Sequence, residues 1–293
     1  MRKNAGFLIS VLIGLALAFF LGYSGLRARR EARVMAGFAT LLAKDDLTVA
    51  EVIAYVDRHI AEVTTGNADK LVLGLERVQK EKLPAWQRIY EDSALQAKML
   101  RVYQQSWALD DLQTAADEEI RQLVAQTRQN GYKVETAEGQ FFPVIDYTFY
   151  QKYFGAIAAD LTAYFELMAV ESEAPPVKDG ALMLSWGQLL QRAKRQEQFI
   201  DGYGSSTQVE PVRALLKRYV TYALYGCDNT PLFNYTTKEM DPEAKLAYNI
   251  FIAQETAGDF AALIKEYLHV LAANDYRLTA EVDAYRQAAV AGW

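Results

Sequence analysis

The chain has 293 residues and a formal net charge of -6, from 31 basic and 37 acidic side chains. Because 51% of its residues are hydrophobic, it can bury a core, which excludes a disordered or low-complexity chain. A single cysteine, Cys227, excludes an intrachain disulfide and a thiolate metal cluster. The two histidines, His59 and His269, have no partner at ligand spacing. The sequence therefore predicts no metal site and no cofactor.

An apolar run near the N-terminus is the strongest signal in the sequence. Residues 5–26 carry no charge, and 22 helical residues at about 1.5 Å each would span roughly 33 Å, enough for a bilayer core. Arg2 and Lys3 precede the run, as in the n-region of a secretory signal. We expect residues 1–26 to be a signal anchor or transmembrane helix that contacts the membrane through 5–26. A cleaved signal peptide is the alternative.

Flanking charge bears on the orientation of this segment. Arginines 27, 29, 30 and 33 outnumber the two basic residues before the run, and the positive-inside rule counts such charges. Read strictly, this bias keeps the main domain in the cytoplasm, where the arginines would attract anionic lipid headgroups. The short basic tail is instead typical of a segment that carries the following domain across. We expect an extracytoplasmic domain on a single-pass anchor, with a secreted or cytoplasm-facing domain as the alternatives.

The charge of the chain changes sign after this region. Residues 1–45 carry 7 basic and 2 acidic side chains, a net +5, and the remainder carries 24 and 35, a net -11. An acidic body repels phosphate backbones, so no nucleic-acid partner is expected. These patterns divide the chain into the anchor, a basic juxtamembrane segment (27–45) and an acidic α-helical domain (46–293). A division of that domain into two lobes near residue 131 is an alternative.

The first part of the acidic domain has the periodicity of helices. Apolar residues recur at intervals of three and four rather than two, and Thr48 with Glu51 forms a capping-box pattern before the first stripe. Further helices are predicted at about 67–82 and 85–129, the second interrupted near 107–111. Each carries one apolar face, as expected for helices that pack on a core.

A β-hairpin is predicted in the middle of the chain. Residues 132–146 form two short apolar stretches around a turn at 137–140, after the helix-ending pair Asn130-Gly131. Helical spacing then returns in an aromatic stripe from Tyr150 to Met168, with Asp146 placed to cap its start.

Helices also dominate the C-terminal part. A helix at about 181–200 and a loop at 201–206 precede a helix that opens with a second capping-box pattern, Thr207 and Glu210. Its predicted core face is Val212, Leu215, Leu216, Tyr219, Val220, Ala223 and Leu224.

The chain ends in a loop and three more helices. The loop covers residues 226–240, and the helices begin at Asp241-Pro242, near Phe260 and near Thr279. The predicted fold class is all-α, a helical bundle or layered helices with one small β-hairpin, preceded by a single transmembrane helix.

Candidate ligand-binding residues lie at three places. Asp146 and Tyr147 stand at a strand-to-helix junction rich in aromatic residues, which suits the wall of a groove for a sugar or peptide. Tyr203 lies in a loop with two glycines. Asn229, Asn234 and Tyr235 lie in the long loop, and such loops are often functional. The competing interpretation makes Asp146 a helix cap, the aromatic residues core and the loops plain connections.

No catalytic residue is predicted. Cys227 has no local base, and no serine stands in a G-x-S-x-G elbow. The sequence favours a binding or assembly module of the cell envelope that takes a polar ligand or a protein or glycan partner. One alternative is an envelope hydrolase that uses Asp146 with a second carboxylate. The other is a purely structural subunit of a membrane complex.

Overall fold

The computed structural model of the protein describes residues 25–255 and 257–293. This part is mostly helical, which confirms the mainly-α class. The α-helices of the described part, in chain order, are α1 (25–42), α2 (Val49–His59), α3 (Thr65–Tyr90), α4 (Ser93–Tyr103), α5 (Glu118–Gln129), α6 (Ala159–Glu173), α7 (Trp186–Gly202), α8 (Val209–Tyr225), α9 (Pro242–Gln254), α10 (Asp259–Ala273) and α11 (Ala280–Gly292). Short 3-10 helices occupy Ile60–Glu62, Leu109–Gln113 and Tyr147–Tyr153.

The described residues also form three short antiparallel strand pairs, where the sequence predicts one. The pairs are β1 (Tyr132–Ala137) with β2 (Gln140–Ile145), β3 (Val177–Lys178) with β4 (Ala181–Leu182), and β5 (Gly226–Cys227) with β6 (Thr230–Pro231). The predicted hairpin is the first of them, in a register that pairs Ala137 with Gln140. Both of its turn residues, Glu138 and Gly139, have positive φ, as a two-residue hairpin turn requires. The strands of the other two pairs have two residues each, which is too short for an alternation of apolar and polar residues to be recognised in the sequence.

The expectation of a single-pass membrane protein is wrong. Within residues 25–255 and 257–293, no helix combines the length and apolar character needed to cross a membrane. The run that prompted the expectation, residues 5–26, lies outside the described residues except for its last two. The helix that follows, α1, carries the four arginines and buries Val34, Phe38 and Leu41 in the protein core. It is therefore an amphipathic helix of the domain.

The first core contains residues from both sides of position 131. Buried side chains of α1, α2 and α3 pack with the hairpin, the 3-10 helix at Tyr147–Tyr153 and α6. A buried carboxylate is held inside it: Glu76 accepts hydrogen bonds from Tyr147 (3.0 Å) and Tyr164 (2.7 Å) and pairs with Lys80 (2.7 Å). Because buried polar groups need partners, this network fixes the positions of the helices around it.

Two further cores are found among the residues that the structure describes. The C-terminal core is built from α7 to α11 together with the loop between α8 and α9. It includes the predicted α8 face except Val212, which is buried in the first core. A smaller core joins α4 and α5 to Phe141 of β2. Met168 and Ile200 pack against both the first and the C-terminal core, so α6 and α7 lie along the seam between them. A separation into lobes near 131 stays a prediction.

Candidate functional site

A groove of about 400 Å³ lies between α6 and α7, at the seam of the two cores. Each helix contributes residues spaced by three and four positions, so each presents one face to it. The lining is chiefly Ala163, Glu166, Leu167, Val170 and Glu171 from α6, Arg192, Arg195, Gln196 and Phe199 from α7, and Tyr203, which directly follows α7. This α6–α7 groove has aliphatic and aromatic walls with two carboxylates and two guanidinium groups among them.

Glu171 is the most constrained charged group of the α6–α7 groove. Its side chain is 12% exposed, and the hydroxyl of Tyr219 lies 2.6 and 2.7 Å from its two carboxylate oxygens. Arg192 is 3.5 Å away and donates a shorter hydrogen bond, 2.8 Å, to the carbonyl of Ala174. Burial raises the pKa of Glu171, and the Tyr219 hydrogen bond and the charge of Arg192 only partly offset it. The carboxylate thus has fewer close donors than it can accept.

An apolar pocket of about 460 Å³ lies on the neighbouring side of α6. The hairpin, α6 and the segment leading to β3 enclose it, and its walls include Phe142, Val144, Tyr147, Met168 and Pro175. Glu171 lines this apolar pocket as well as the α6–α7 groove. The two hollows therefore adjoin at one partly buried residue, Glu171.

An ion-pair cluster stands at the rim of the apolar pocket. Glu135 of β1 pairs with Lys178 of β3 at 2.6 Å and with Lys133 at 3.0 Å. Burial acts to raise the pKa of Glu135, but the two lysines outweigh it and the pKa is lowered. The cluster holds one carboxylate between two ammonium groups, and it ties β3 to the hairpin.

Gln196 is an unusual polar residue in the α6–α7 groove. The residue is 1% exposed, and its Oε1 is buried without a hydrogen-bond partner among the described residues. Buried polar atoms in proteins are nearly always paired, and an orphaned acceptor costs about 1 to 3 kcal/mol. An unpaired acceptor beside a groove is a place where a ligand donor would be stabilised.

Three predicted site residues lie near α6, in different surroundings. Asp146 accepts hydrogen bonds from the backbone and hydroxyl of Thr148 and so caps the 3-10 helix. Tyr147 is 6% exposed; its hydroxyl is bound to Glu76 in the core, and it lines the apolar pocket. Tyr203 ends α7 and lines the α6–α7 groove beside Phe199.

The other three predicted residues belong to the loop between α8 and α9. Asn229 donates from its side chain to the carbonyl of Asp179, a residue that lines the apolar pocket. Asn234 accepts from the backbone of the two threonines that follow it, and Tyr235 donates to the carbonyl of Asp228. Asn234 and Tyr235 share a separate hollow of about 200 Å³. The structure brings these two together but does not join them to Tyr147 in one pocket.

A hollow with three carboxylates bears on the hydrolase alternative. Asp110, Glu135 and Asp146 line a depression of about 410 Å³ beside the hairpin. A general acid at neutral pH needs a raised pKa, whereas the pKa of Glu135 is lowered. Within the described ranges, no cluster of three or more His, Cys, Asp or Glu side chains could hold a metal ion.

Glu171, Arg192 and Gln196 are groove residues that the sequence patterns do not single out. A signal was present, since Arg192, Gln196, Phe199 and Tyr203 repeat at three to four residues within the region predicted as helix and loop. That repeat identifies a helix face but not the element opposite it. Glu171 and Arg192 are 21 residues apart, and Glu171 and Tyr219 are 48 apart, so only folding places them together.

Comparisons with protein-family models, curated proteins and solved structures find no match to this chain. The fold and the two adjoining hollows define a mainly-α protein with a candidate ligand site at the seam of its two larger cores.

Proposed function

We propose that the protein is a helical binding module for a small amphiphilic ligand. The polar part of the ligand lies in the α6–α7 groove, and its apolar part lies in the apolar pocket. The single observation that carries this proposal is Glu171, a partly buried and incompletely paired carboxylate residue that lines both hollows.

Size and location support a binding role. Ligand sites in proteins commonly measure about 300 to 1,000 Å³ and occur where separate cores meet, and each of the two hollows falls in this range. The apolar pocket offers area for burial, worth about 25 cal/mol per Å² removed from water. The groove offers hydrogen-bonding and charged groups that fix orientation. A ligand that uses both hollows gains affinity from one and specificity from the other.

The test is a thermal-shift screen of the full chain against small molecules grouped by head-group charge and apolar size. Affinities of the hits are then measured by isothermal titration calorimetry. Two substitutions fill the site: Ala163→Trp blocks the α6–α7 groove and Val144→Trp blocks the apolar pocket. Ala253→Trp, on the exposed side of α9, is the matched control.

Hits are expected to bind at least tenfold more weakly to each of the filled variants, and as tightly to Ala253→Trp as to the wild type. The proposal is overturned if no compound class binds. Binding that neither filling substitution weakens would overturn it equally, because the ligand would then lie elsewhere.

A further inference from the structure

The charges of the α6–α7 groove define a ligand class, on the condition that the binding function proposed above is correct. Its lining contains two carboxylates, Glu166 and Glu171, and two guanidinium groups, Arg192 and Arg195. The arginines would repel a purely cationic ligand, and the glutamates would repel a purely anionic ligand. A net-neutral lining with both signs selects against either.

The two arginines have different roles. Arg192 is 13% exposed and is engaged with Glu171 and with the carbonyl of Ala174 at the end of α6. Arg195 lies one turn further along the same face of α7, is exposed, and forms no ion pair with any residue the structure describes. Arg195 is therefore the cation that is available to an anionic group of a ligand.

The acceptors available to a ligand donor are Glu171 and Gln196. Glu171 has one hydroxyl and one long arginine contact, and Gln196 Oε1 has no partner in the described chain. The last torsion of a glutamine side chain is soft, so the Gln196 amide can turn its oxygen to the groove that it lines. Arg195 and Gln196 lie in the same turn of α7 and both line the groove, so that turn offers an acceptor and a cation.

We propose that the α6–α7 groove binds the zwitterionic head of a free α-amino acid with a large apolar side chain. The ligand ammonium donates to Glu171 and Gln196, the ligand carboxylate accepts from Arg195, and the side chain enters the apolar pocket that adjoins at Glu171. In such a ligand an ammonium and a carboxylate are attached to one carbon, which suits a groove that offers an acceptor and a cation from the same turn of α7. A ligand ammonium also supplies the donor that the orphaned Gln196 oxygen lacks.

Calorimetry with the full chain tests this ligand class with four probes. Free phenylalanine carries both charges, phenethylamine lacks the carboxylate, hydrocinnamate lacks the ammonium, and N-acetylphenylalanine lacks the ammonium charge. Phenylalanine is expected to bind at least tenfold more tightly than each of the other three, since a hydrogen bond to a charged group contributes about tenfold or more. Equal binding of phenethylamine or hydrocinnamate would overturn the proposal.

Variants assign the contacts to residues. Arg195→Gln is expected to weaken the binding of phenylalanine about tenfold and to leave the binding of phenethylamine unchanged. Gln196→Met is expected to weaken the binding of both compounds. Arg213→Gln, which removes an exposed arginine of α8 outside the groove, should change neither. Because Arg195 is exposed, its substitution should leave the melting temperature unchanged, so lost affinity reports binding. Unchanged phenylalanine affinity in Arg195→Gln would overturn the proposal.

The two proposals fail in distinguishable ways. If amino acids do not bind but other compounds do, and Ala163→Trp or Val144→Trp weakens those compounds, the binding function stands and the amino-acid ligand is wrong. If no compound responds to either filling substitution, the binding function is wrong as well.

Discussion

Gly258 should tolerate no side chain. It precedes α10 with φ of 98° and ψ of 157°, a backbone conformation that is essentially restricted to glycine. A Cβ at this position would lie 2.6 Å from Lys194 Nζ and would also collide with the carboxylate of Glu197. These two side chains form a buried ion pair at 2.7 Å, and Glu197 additionally accepts the backbone N–H of Phe260 at 2.6 Å. Gly258→Ala therefore strains the backbone and displaces the group that caps α10.

The size of the effect follows from these contacts. Backbone strain in this region costs about 1 to 3 kcal/mol, and loss of one partner of a buried ion pair costs about 3 to 5 kcal/mol. Because the pair is displaced rather than deleted, we expect a total loss of about 3 to 5 kcal/mol. This is a large part of the roughly 5 to 15 kcal/mol that stabilises a typical domain.

Urea denaturation followed by circular dichroism measures the loss. The matched control is Gly187→Ala in the first turn of α7, where no atom lies within 4 Å of the added Cβ. The control should leave the free energy of unfolding unchanged or raise it by less than about 1 kcal/mol. A Gly258→Ala protein within about 1 kcal/mol of the wild type would refute the reasoning, because the strain and the displaced ion pair could not then be present.

Three further predictions concern buried and capping groups. Tyr147→Phe removes one of the donors to Glu76 and should lower the free energy of unfolding by about 1 to 2 kcal/mol in urea; no loss would contradict the buried network. The backbone hydrogen bond of Thr48, assisted by Lys44, lowers the pKa of Glu51 from 4.5 to about 2, so its stabilisation is present above pH 4.5 and lost towards pH 2. Glu51→Ala should accordingly lower the melting temperature at neutral pH, and the gap between the melting temperatures of the variant and the wild type should disappear on acidification. A gap that does not change with pH would show that the charge of Glu51 is not the source of the stabilisation. Burial raises the pKa of Glu171, so the folded protein loses stability as pH rises through that pKa, and Glu171→Gln should gain stability relative to the wild type between pH 4 and pH 7 in denaturation experiments. If the difference in the free energy of unfolding between Glu171→Gln and the wild type is the same at pH 4 and pH 7, burial does not perturb the pKa of this carboxylate.

Helix capping shows how far local sequence determines an element. The Thr48 and Glu51 pattern forms the predicted capping box of α2, and Asp241 caps α9 as expected. The same pattern at Thr207 and Glu210 does not form, because α8 begins at Val209 and the residue before it makes no side-chain cap. A capping pattern indicates where a helix can begin. The conformation of the preceding loop decides whether the helix begins there.

Helix breaks show where tertiary contacts override local signals. The sequence predicts that a helix ends at about residue 82, before Pro84. In the structure α3 continues through Pro84 to Tyr90, since packing on both sides of the proline maintains the helix. The aromatic stripe from Tyr150 to Met168 was predicted as one helix, but it is divided into a 3-10 helix and α6. Asp69 of α3 accepts the N–H of Ala158 at 2.9 Å and fixes the start of α6. The periodicity of the stripe predicted which residues are buried but not this contact.

Sequence alone determined the helical class, the first hairpin and the buried face of α8, because these depend on spacing between near neighbours in the chain. It did not determine the candidate site. Glu171, Arg192 and Tyr219 meet only when α6, α7 and α8 pack against one another, and the unpaired oxygen of Gln196 is defined by its burial. Proximity between distant segments and access to water are properties of the packed chain, and so the tertiary structure alone decided where a ligand could bind.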